Sequence, residues 1–496
     1  MSAFPFVDPL YHEPIGRYAH SPEFERVLTD VLPESWSVER SGVWMAARPP
    51  WRRYPDQGFK LHVSAVPDDA EEILRRVAMI CGETATEFKC AADPRLLSHI
   101  NSKRASRGSS GKFMTLYPES DHAFEGLAAR LAEATAEFDG PYILSDRRVP
   151  GSRCVFYRYG GFSRRSRMRP DGTREYLIRG VDGSDLPDRR QPFFALPEGI
   201  ADPFPPEDAA SGSDLRIGDR FEIREALAFS NTGGVYLATD LATGADAVLK
   251  EARPHTSSWS MQDGYLDAVG MLEHEHAVLT DLAGTGVTVQ PLGMHRAWEH
   301  TFLAQSFAPG EPLRSFRGRP EIILTTHMDD PERVGQFCGV FHTVARGLLA
   351  AVRAVHEAGY VIGDLSPNNI MVDADTLGVT LIDVESAHRP DDRVATLARG
   401  WYTPGFRPLD EAGRRAVTPA DDLYAAGMAL YSLVMPVQHF FRLHPEAGPR
   451  FIDRFVAAGL PEEVRDVIAA LARGDAEAAE ALLDAWTPTL SVPSYA

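Results

Sequence analysis

Val361-Ile-Gly-Asp364-Leu-Ser-Pro-Asn-Asn369-Ile370, followed closely by Leu381-Ile-Asp383-Val-Glu385, decides how this chain is read. It sets an aspartate, an asparagine and a second aspartate at a spacing that suits phosphoryl transfer from a nucleotide. That reaction needs one carboxylate at the attacking hydroxyl and oxygen ligands for a divalent cation. Asp364 fits the base or orienter, and Asn369 and Asp383 fit the metal ligands. Apolar residues close both segments and can anchor them to short strands. An Asp- and Asn-rich turn between two strands has the same local composition, so the rest of the chain must decide.

Five more pieces stand around this one in a compatible order. Ala228-Phe-Ser-Asn-Thr-Gly233-Gly234-Val235-Tyr236 lies between two strand-like runs. Its small residues would let backbone N–H groups approach nucleotide phosphates, although an ordinary hairpin turn looks similar. Gly233 is the third glycine of the usual three, with Ala228 and Ser230 at the other positions. Ala247-Val-Leu-Lys250 ends the next strand with a lysine for the α- and β-phosphates. Leu272-Glu-His-Glu275-His-Ala-Val-Leu279 places Glu275 one helical turn from Leu272 and Leu279, as that lysine's partner, with Glu273 the second choice. Trp401-Tyr-Thr-Pro-Gly-Phe406 resembles the end of a kinase activation segment. Asp422-Leu-Tyr-Ala-Ala-Gly427 resembles the aspartate that braces a catalytic loop.

Strand-like runs from Phe221 to Lys250, a helix near Leu266 to Leu282, and mostly helical sequence after Val334 complete the layout of a bilobal protein kinase. Three departures stand out. Ile362-Gly363 replaces the usual His-Arg, Val384-Glu385 replaces Phe-Gly, and Ser366 replaces a lysine often found two residues after the base. Without that arginine, a phosphorylated activation loop loses its usual partner. The same letters occur in aminoglycoside-type phosphotransferases, so a small-molecule phosphotransferase with an accessory domain is the alternative reading. Lys250, Asp364, Asn369 and Asp383 are all present, which argues against an inactive kinase relative.

With 496 residues, two or three domains are expected, and 44% hydrophobic residues can fill real cores. A formal charge of −19 offers no global basic field for nucleic acid. Four cysteines without paired spacing argue against disulfides and a cysteine zinc site. No signal peptide is expected, and no stretch long and apolar enough to span a bilayer, so a cytoplasmic location without membrane contact follows. The Pro-, Gly-, Ser- and acid-rich stretch Ala201 to Asp214 reads as a linker. The expected organisation is an α+β domain over 1–200, a linker over 201–216 and a kinase-like domain over 217–496.

In the N-terminal part, Gly58 to Ala65 alternates as a strand, with Lys60, His62 and Ser64 on one face and Phe59, Leu61 and Val63 on the other. A solvated sheet face would read the same way. Helices are expected over Asp68 to Ile80 and Ala123 to Phe138, and strands over Lys112 to Tyr117 and Cys154 to Tyr159. Glu87-Phe-Lys89 adds a second lysine. Asn101-Ser-Lys103-Arg104-Ala-Ser-Arg107-Gly-Ser-Ser-Gly111-Lys112 adds a basic loop suited to an anion. Arg158 sits in Phe156-Tyr-Arg-Tyr159, and Arg164 to Arg169 forms a basic loop or hairpin. Lysines, arginines, a histidine and a tyrosine without a metal-ligand cluster suggest β-elimination from phosphoserine or phosphothreonine. A base takes the Cα proton, a cation stabilises the enolate-like oxygen and an acid protonates the leaving phosphate. A lysine base must lose its proton far below its reference pKa of ~10.4, which burial and neighbouring cations favour.

These residues make the chain similar to the lyase and kinase portions of a class III or class IV lanthipeptide synthetase. The resemblance runs from Tyr11-His-Glu-Pro-Ile-Gly-Arg17-Tyr to the end of the kinase-like part. Its specific marks are Gly58-Phe-Lys60-Leu-His62-Val-Ser-Ala, Glu87-Phe-Lys89, Gly111-Lys112-Phe-Met-Thr-Leu-Tyr117-Pro, Phe156-Tyr-Arg158-Tyr-Gly and Val248-Leu-Lys250-Glu-Ala-Arg-Pro. The N-terminal part also resembles bacterial effector phosphothreonine lyases, and an effector lyase is a further alternative. The resemblance implies a phosphothreonine-lyase-like domain followed by a kinase-like domain, acting on a leader–core precursor peptide with ATP or GTP and Mg²⁺. The lyase would need no cofactor. It implies Lys89 as general base, His62 as general acid, Lys60 at the carbonyl, Arg107 and Arg158 on the phosphate and Tyr117 in support. Arg104 or Lys103 could exchange with Arg107. No cyclase motif precedes Ala496, so a cyclase is expected elsewhere, as a separate polypeptide or in a longer chain.

Overall fold

The computed structural model describes residues 3–4, 13–14, 18–51, 55–189, 191–204, 216–261, 264–320, 322–324, 327–408, 416–437 and 447–488. Most of the expected linker and most of the Tyr11–Arg17 mark lie outside them. The chain forms two compact units. The first comprises Met1–Thr243, Leu249–Met271 and His295–Phe302, and the second Gly244–Val248, Leu272–Met294 and Leu303–Ala496.

The first unit begins with a two-residue pair, β1 (Ala3–Phe4) and β2 (Glu13–Pro14), and with α1 (Glu23–Val31). Its centre is an antiparallel sheet of seven strands. These are β3 (Ser37–Ser41), β4 (Trp44–Arg48), β5 (Gln57–Val63), β6 (Glu87–Ala91), β7 (Met114–Tyr117), β8 (Arg147–Arg148) and β9 (Val155–Gly161), in the order β3-β4-β6-β7-β5-β9-β8. Three helices complete the layer: α2 (Ala70–Thr84), α3 (Pro94–Asn101) and α4 (Asp121–Ala134).

Alternation sends Phe59, Leu61, Val63, Phe88, Cys90, Leu116 and Tyr157 to one side of the sheet, into a core with Phe24, Leu28, Leu74, Val77, Phe124 and Leu131 of the helices. Each fully buried side chain of this size contributes about 1.5–3 kcal/mol, and Leu61→Ala would cost about 2–5 kcal/mol. Helix starts follow local chemistry. Asp93 accepts the Leu96 N–H at 2.7 Å with Pro94 at the first turn of α3, and Ser120 accepts the Ala123 N–H at 3.2 Å to open α4. The arginine-rich stretch is a hairpin of β10 (Ser166–Met168) and β11 (Arg174–Arg179), extended by β12 (Asp185–Pro187). Its Arg167 and Arg169 both pair with Glu175.

A six-stranded sheet follows, ordered β13-β14-β15-β16-β20-β19. Its strands are β13 (Arg216–Ile217), β14 (Phe221–Phe229), β15 (Gly234–Asp240), β16 (Asp246–Ala252), β19 (Pro291–Ala297) and β20 (His300–Ser306). Between β16 and β19 come a small hairpin, β17 (Trp259–Met261) with β18 (Gly264–Leu266), and α5 (Ala268–Leu282).

Most of that sheet belongs to the first unit, and the second unit beyond it is mainly helical. It holds β21 (Glu311–Pro312), α6 (Leu313–Phe316), α7 (Pro331–Glu357), β22 (Ile370–Val372), β23 (Val379–Leu381), α8 (Arg393–Ala398), α9 (Pro419–Val434), α10 (Ala447–Ala457), α11 (Glu462–Ala472) and α12 (Ala476–Ala485). Between Pro461 and Trp486 the helical sequence forms two helices, α11 and α12. Gly474 has a φ of +76°, which favours glycine, and Asp475 accepts the Ala478 N–H at 3.0 Å to restart the helix. One expectation is corrected: no stretch was expected to be long and apolar enough to span a bilayer, yet α7, with 27 residues, meets both criteria by length and composition. The reason is its central position. Phe337, Phe341, Val344, Leu348, Val352 and Val355 are buried, and α9, α12 and β23 pack around it, so most of its circumference is apolar. The four cysteines are buried and unpaired.

Candidate active sites

Strand register assembles the first site. Across β4, β6, β7, β5 and β9, Ala46 faces Lys89, Lys89 faces Thr115, Thr115 faces His62 and His62 faces Phe156. Directly opposed residues share a face, so Lys89 and His62 stand on the side away from the core with only the Thr115 strand between them. Two residues along, Glu87 faces Tyr117 and Lys60 faces Arg158 on that same side. Lys60, His62, Lys89, Tyr117 and Arg158 therefore form one polar face. Lys60 and His62 are only 7% and 3% exposed, so this is not a solvated sheet surface.

Behind His62 lies a residue that local pattern did not single out. His62 Nδ1 is 2.5 Å from Oδ2 of Asp146, which is fully buried. The Ser145 hydroxyl donates to Asp146 Oδ1 at 2.6 Å, and Lys112 Nζ lies 3.6 Å from the same oxygen. Lys112 also donates to the Gly108 carbonyl at 3.1 Å and to Ser145 Oγ at 3.0 Å. Burial pushes the His62 imidazolium down to about 3; Asp146 opposes this, while Lys112 and Lys60 reinforce it. Burial alone would raise the Asp146 carboxyl, but His62, Lys112 and the Ser145 bond together bring it below the usual carboxylate range. With Lys112 and Ser145 beside it, Asp146 stays ionised while His62 is neutral.

The other cations are also held. Lys60 donates to the Gly161 carbonyl at 2.6 Å and lies 5.7 Å from the Phe162 ring centroid and 6.0 Å from that of Tyr117. Arg158 Nη2 is 2.5 Å from Asp188 Oδ1, and Asp188 also accepts the Gly161 N–H at 3.2 Å. Lys89 Nζ sits 4.5 Å from the Trp44 ring, two residues along β4 from Ala46. Trp44 was legible as a same-face neighbour from the alternation of Trp44-Met-Ala-Ala-Arg48. Asp146, 84 positions from His62, carried no such signal. Arg107 is not on the sheet face: its guanidinium lies 4.6 Å from the Phe229 ring centroid, and Arg104 and Lys103 are exposed.

The second site is built around the catalytic-loop sequence. Asp422 accepts the N–H groups of Ile362 at 2.7 Å and Gly363 at 3.0 Å, and His356 lies 2.9 Å from its carboxylate. Gly363 has a φ of +84°, and a Cβ there would meet the Ser386 carbonyl oxygen at 2.9 Å. This is the physical reason for a glycine just before Asp364. Asn369 Nδ2 donates to the Asp364 carbonyl at 3.0 Å, which leaves its Oδ1 as the acceptor end. The Ile382 N–H bonds the Asn369 carbonyl at 2.9 Å, bringing the Asp383 strand alongside. Asp383 itself has a φ of 58°, a left-handed conformation uncommon outside glycine. Asp364 Oδ1 accepts the Thr403 N–H at 2.7 Å, so the expected activation-segment end reaches Asp364.

Gly233 and Lys250 lie in the first unit and Glu275, fully buried, in the second. A Cβ at Gly233 would fall 1.9 Å from the Glu251 carbonyl oxygen, so the loop turn requires glycine. Among the described residues no group of three or more His, Cys, Asp and Glu could hold a metal. The Asn369–Asp383 pair instead offers two hard oxygen donors, which suits a cation that keeps waters and phosphate oxygens as its other ligands.

Residues 24–214 match the family described as RamC, N-terminal domain. The chain is 38% identical over 439 residues to a probable SapB synthase of Streptomyces coelicolor, covering 88% of this chain and 45% of that protein. It is 24% identical over 317 residues to the serine/threonine-protein kinase pkn2 of Myxococcus xanthus, covering 57% and 35%. Over 280 residues it is 24% identical to the serine/threonine-protein kinase PknG of Mycolicibacterium smegmatis, covering 55% and 30%. The chain spans less than half the length of each of these relatives. Its resemblance to the lanthipeptide synthetases extends over most of its own length, with a partial likeness to protein kinases.

Proposed function

We propose that this chain dehydrates a ribosomal precursor peptide in two steps, in lanthipeptide-type biosynthesis within the cytoplasm. A nucleoside triphosphate first phosphorylates a serine or threonine hydroxyl, and the phosphate is then eliminated. The observation that carries this reading is the single sheet face on which Lys89, His62, Lys60 and Arg158 are brought into register, with Asp146 behind the histidine.

In the first step Asp364 orients the attacking hydroxyl, and Lys250 and the Gly233 loop hold the nucleotide phosphates. Asn369 and Asp383 would hold Mg²⁺, which supplies charge neutralisation on the transferred phosphate when bound. In the second step Lys89 takes the Cα proton, the Cα–H electron pair becomes the Cα=Cβ bond, and the Cβ–O bond breaks with phosphate leaving. Lys60 stabilises negative charge on the carbonyl oxygen. His62 delivers a proton to the leaving oxygen. A neutral resting His62 gains that proton when the phosphate dianion arrives, because a nearby anion favours the imidazolium. Arg158, with Arg107 or Arg104 from the 101–112 loop, binds the phosphate by charge-assisted hydrogen bonds. Tyr117 lines the same face.

The test follows the mass of a precursor peptide incubated with the protein, ATP or GTP, and Mg²⁺. Net loss of water at Ser or Thr is expected. Lys89→Ala or His62→Ala should accumulate phosphopeptide, and Asp364→Asn should leave the peptide unmodified. No phosphate gain with either nucleotide would refute the first step, and normal dehydration by Lys89→Ala would remove Lys89 as the base.

A further inference from the structure

The Val248-Leu-Lys250-Glu-Ala-Arg253-Pro motif contains an arginine that neither step above uses. Arg253 is 1% exposed, and its side chain is bonded to no carboxylate among the described residues. Its Nη1 donates to the Asn231 carbonyl at 2.7 Å, its Nη2 to the Tyr142 carbonyl, and its backbone N–H to the Thr232 carbonyl at 2.7 Å. A buried guanidinium whose two Nη groups meet carbonyls is expensive to desolvate.

Asn231 and Thr232 form the tip of the loop between β14 and β15, the segment read as the nucleotide loop. That tip is not open to solvent: Asn231 is 1% exposed. Its Nδ2 donates to the carbonyls of Ile100 at 3.2 Å and Ser102 at 3.0 Å, and its backbone N–H donates to Lys103 at 3.2 Å. Beside it, Arg107 covers the Phe229 ring at the base of the same loop. All of these residues belong to the first unit. The loop that would hold nucleotide phosphates is therefore bolted to the start of the basic loop that would hold the phosphopeptide phosphate.

We propose that Asn231 and Arg253 are positioning residues that couple the nucleotide loop to the 101–112 phosphate loop, so that nucleoside triphosphate and phosphopeptide alter each other's affinity. The inference rests on the two-step reading above. Coupling through a shared element is reciprocal: whatever nucleotide does to phosphopeptide affinity, phosphopeptide does to nucleotide affinity. The elimination step consumes no nucleotide, so any nucleotide effect on it reports coupling alone.

The experiment uses the full chain and a synthetic phosphoserine peptide, with elimination followed with and without a saturating non-hydrolysable ATP or GTP analogue and Mg²⁺. In the unmodified protein the analogue should change the phosphopeptide KM by about 5-fold or more, the lower end of ordinary allosteric coupling, while kcat stays constant. In Asn231→Ala the ratio of KM values should fall to about 1, and in Arg253→Lys to an intermediate value. The ratio is internal to each variant, so a general loss of activity cancels. If Asn231→Ala eliminates under neither condition, the Arg253→Lys ratio decides. A ratio near 1 in the unmodified protein, or an unchanged ratio in the variants, overturns the inference. An unmodified protein that neither phosphorylates nor eliminates would instead overturn the two-step reading.

Discussion

Replacing Asp146 by asparagine tests the core of the elimination site. The substitution keeps shape and the hydrogen bond from Ser145, but it removes the anion that faces His62 at 2.5 Å and Lys112 at 3.6 Å. Both partners are almost fully buried, so the substitution takes the anion out of a buried charged cluster. Removing one partner of a buried pair costs about 3–5 kcal/mol. For a unit of this size each kcal/mol lowers the melting temperature by about 2–4 °C, so a drop of about 6–20 °C is expected. The asparagine Nδ2 can donate to His62 Nδ1, which favours the wrong tautomer. General acid catalysis contributes ~10²–10⁴-fold, and losing the orientation of the acid should remove about the lower end of that. Differential scanning calorimetry at pH 7 measures the first effect, and phosphate release from a synthetic phosphopeptide the second. A variant that melts within about 2 °C of the parent and eliminates at the full rate would falsify the assignment of Asp146 as the residue that orients His62.

His62 also predicts a pH dependence of stability. Its value falls from 6.5 in the open chain to about 3 in the fold, so the unfolded chain binds more protons between those limits. Stability should therefore rise with pH through that window, and lowering pH from 6.5 to 5 should cost about 2 kcal/mol; His62→Gln should flatten this slope in urea titrations. Asp146, lowered from 3.8, adds a slope of the same sign at the acidic end of the window, clear of the interval from 6.5 to 5. Gly363→Ala puts a side chain at a φ of +84° against the Ser386 carbonyl. Strain of about 1–2 kcal/mol per residue should displace Asp364 and lower the phosphorylation rate while elimination from added phosphopeptide continues. Asp422→Ala strands the N–H groups of Ile362 and Gly363. At about 1–3 kcal/mol for each unsatisfied group, it should destabilise the second unit measurably by chemical denaturation.

Much of both sites was legible in one dimension. The 2-residue period placed Lys60 and His62 on one side of a strand, and the short spacing of Asp364, Asn369 and Asp383 marked out the second candidate site, because these groups sit within one local turn and hairpin. Gly363 looked like a departure in sequence and became a backbone requirement only once Ser386 was seen above it. Similarly, α7 read as nothing exceptional until its central packing explained why it is apolar on most sides.

Sequence alone therefore determined which residues could carry the chemistry and which strand faces they occupy, since alternation and turn spacing are local properties of the backbone. Tertiary structure decided what each charge is paired with. Asp146 behind His62, Asp188 against Arg158, Trp44 against Lys89 and Arg253 under the nucleotide loop are contacts between strands or loops distant along the chain. Chain spacing does not encode these pairings, because separated segments must first fold together: the order β3-β4-β6-β7-β5-β9-β8 assembles the first three, and the sheet that carries the β14–β15 loop assembles the last.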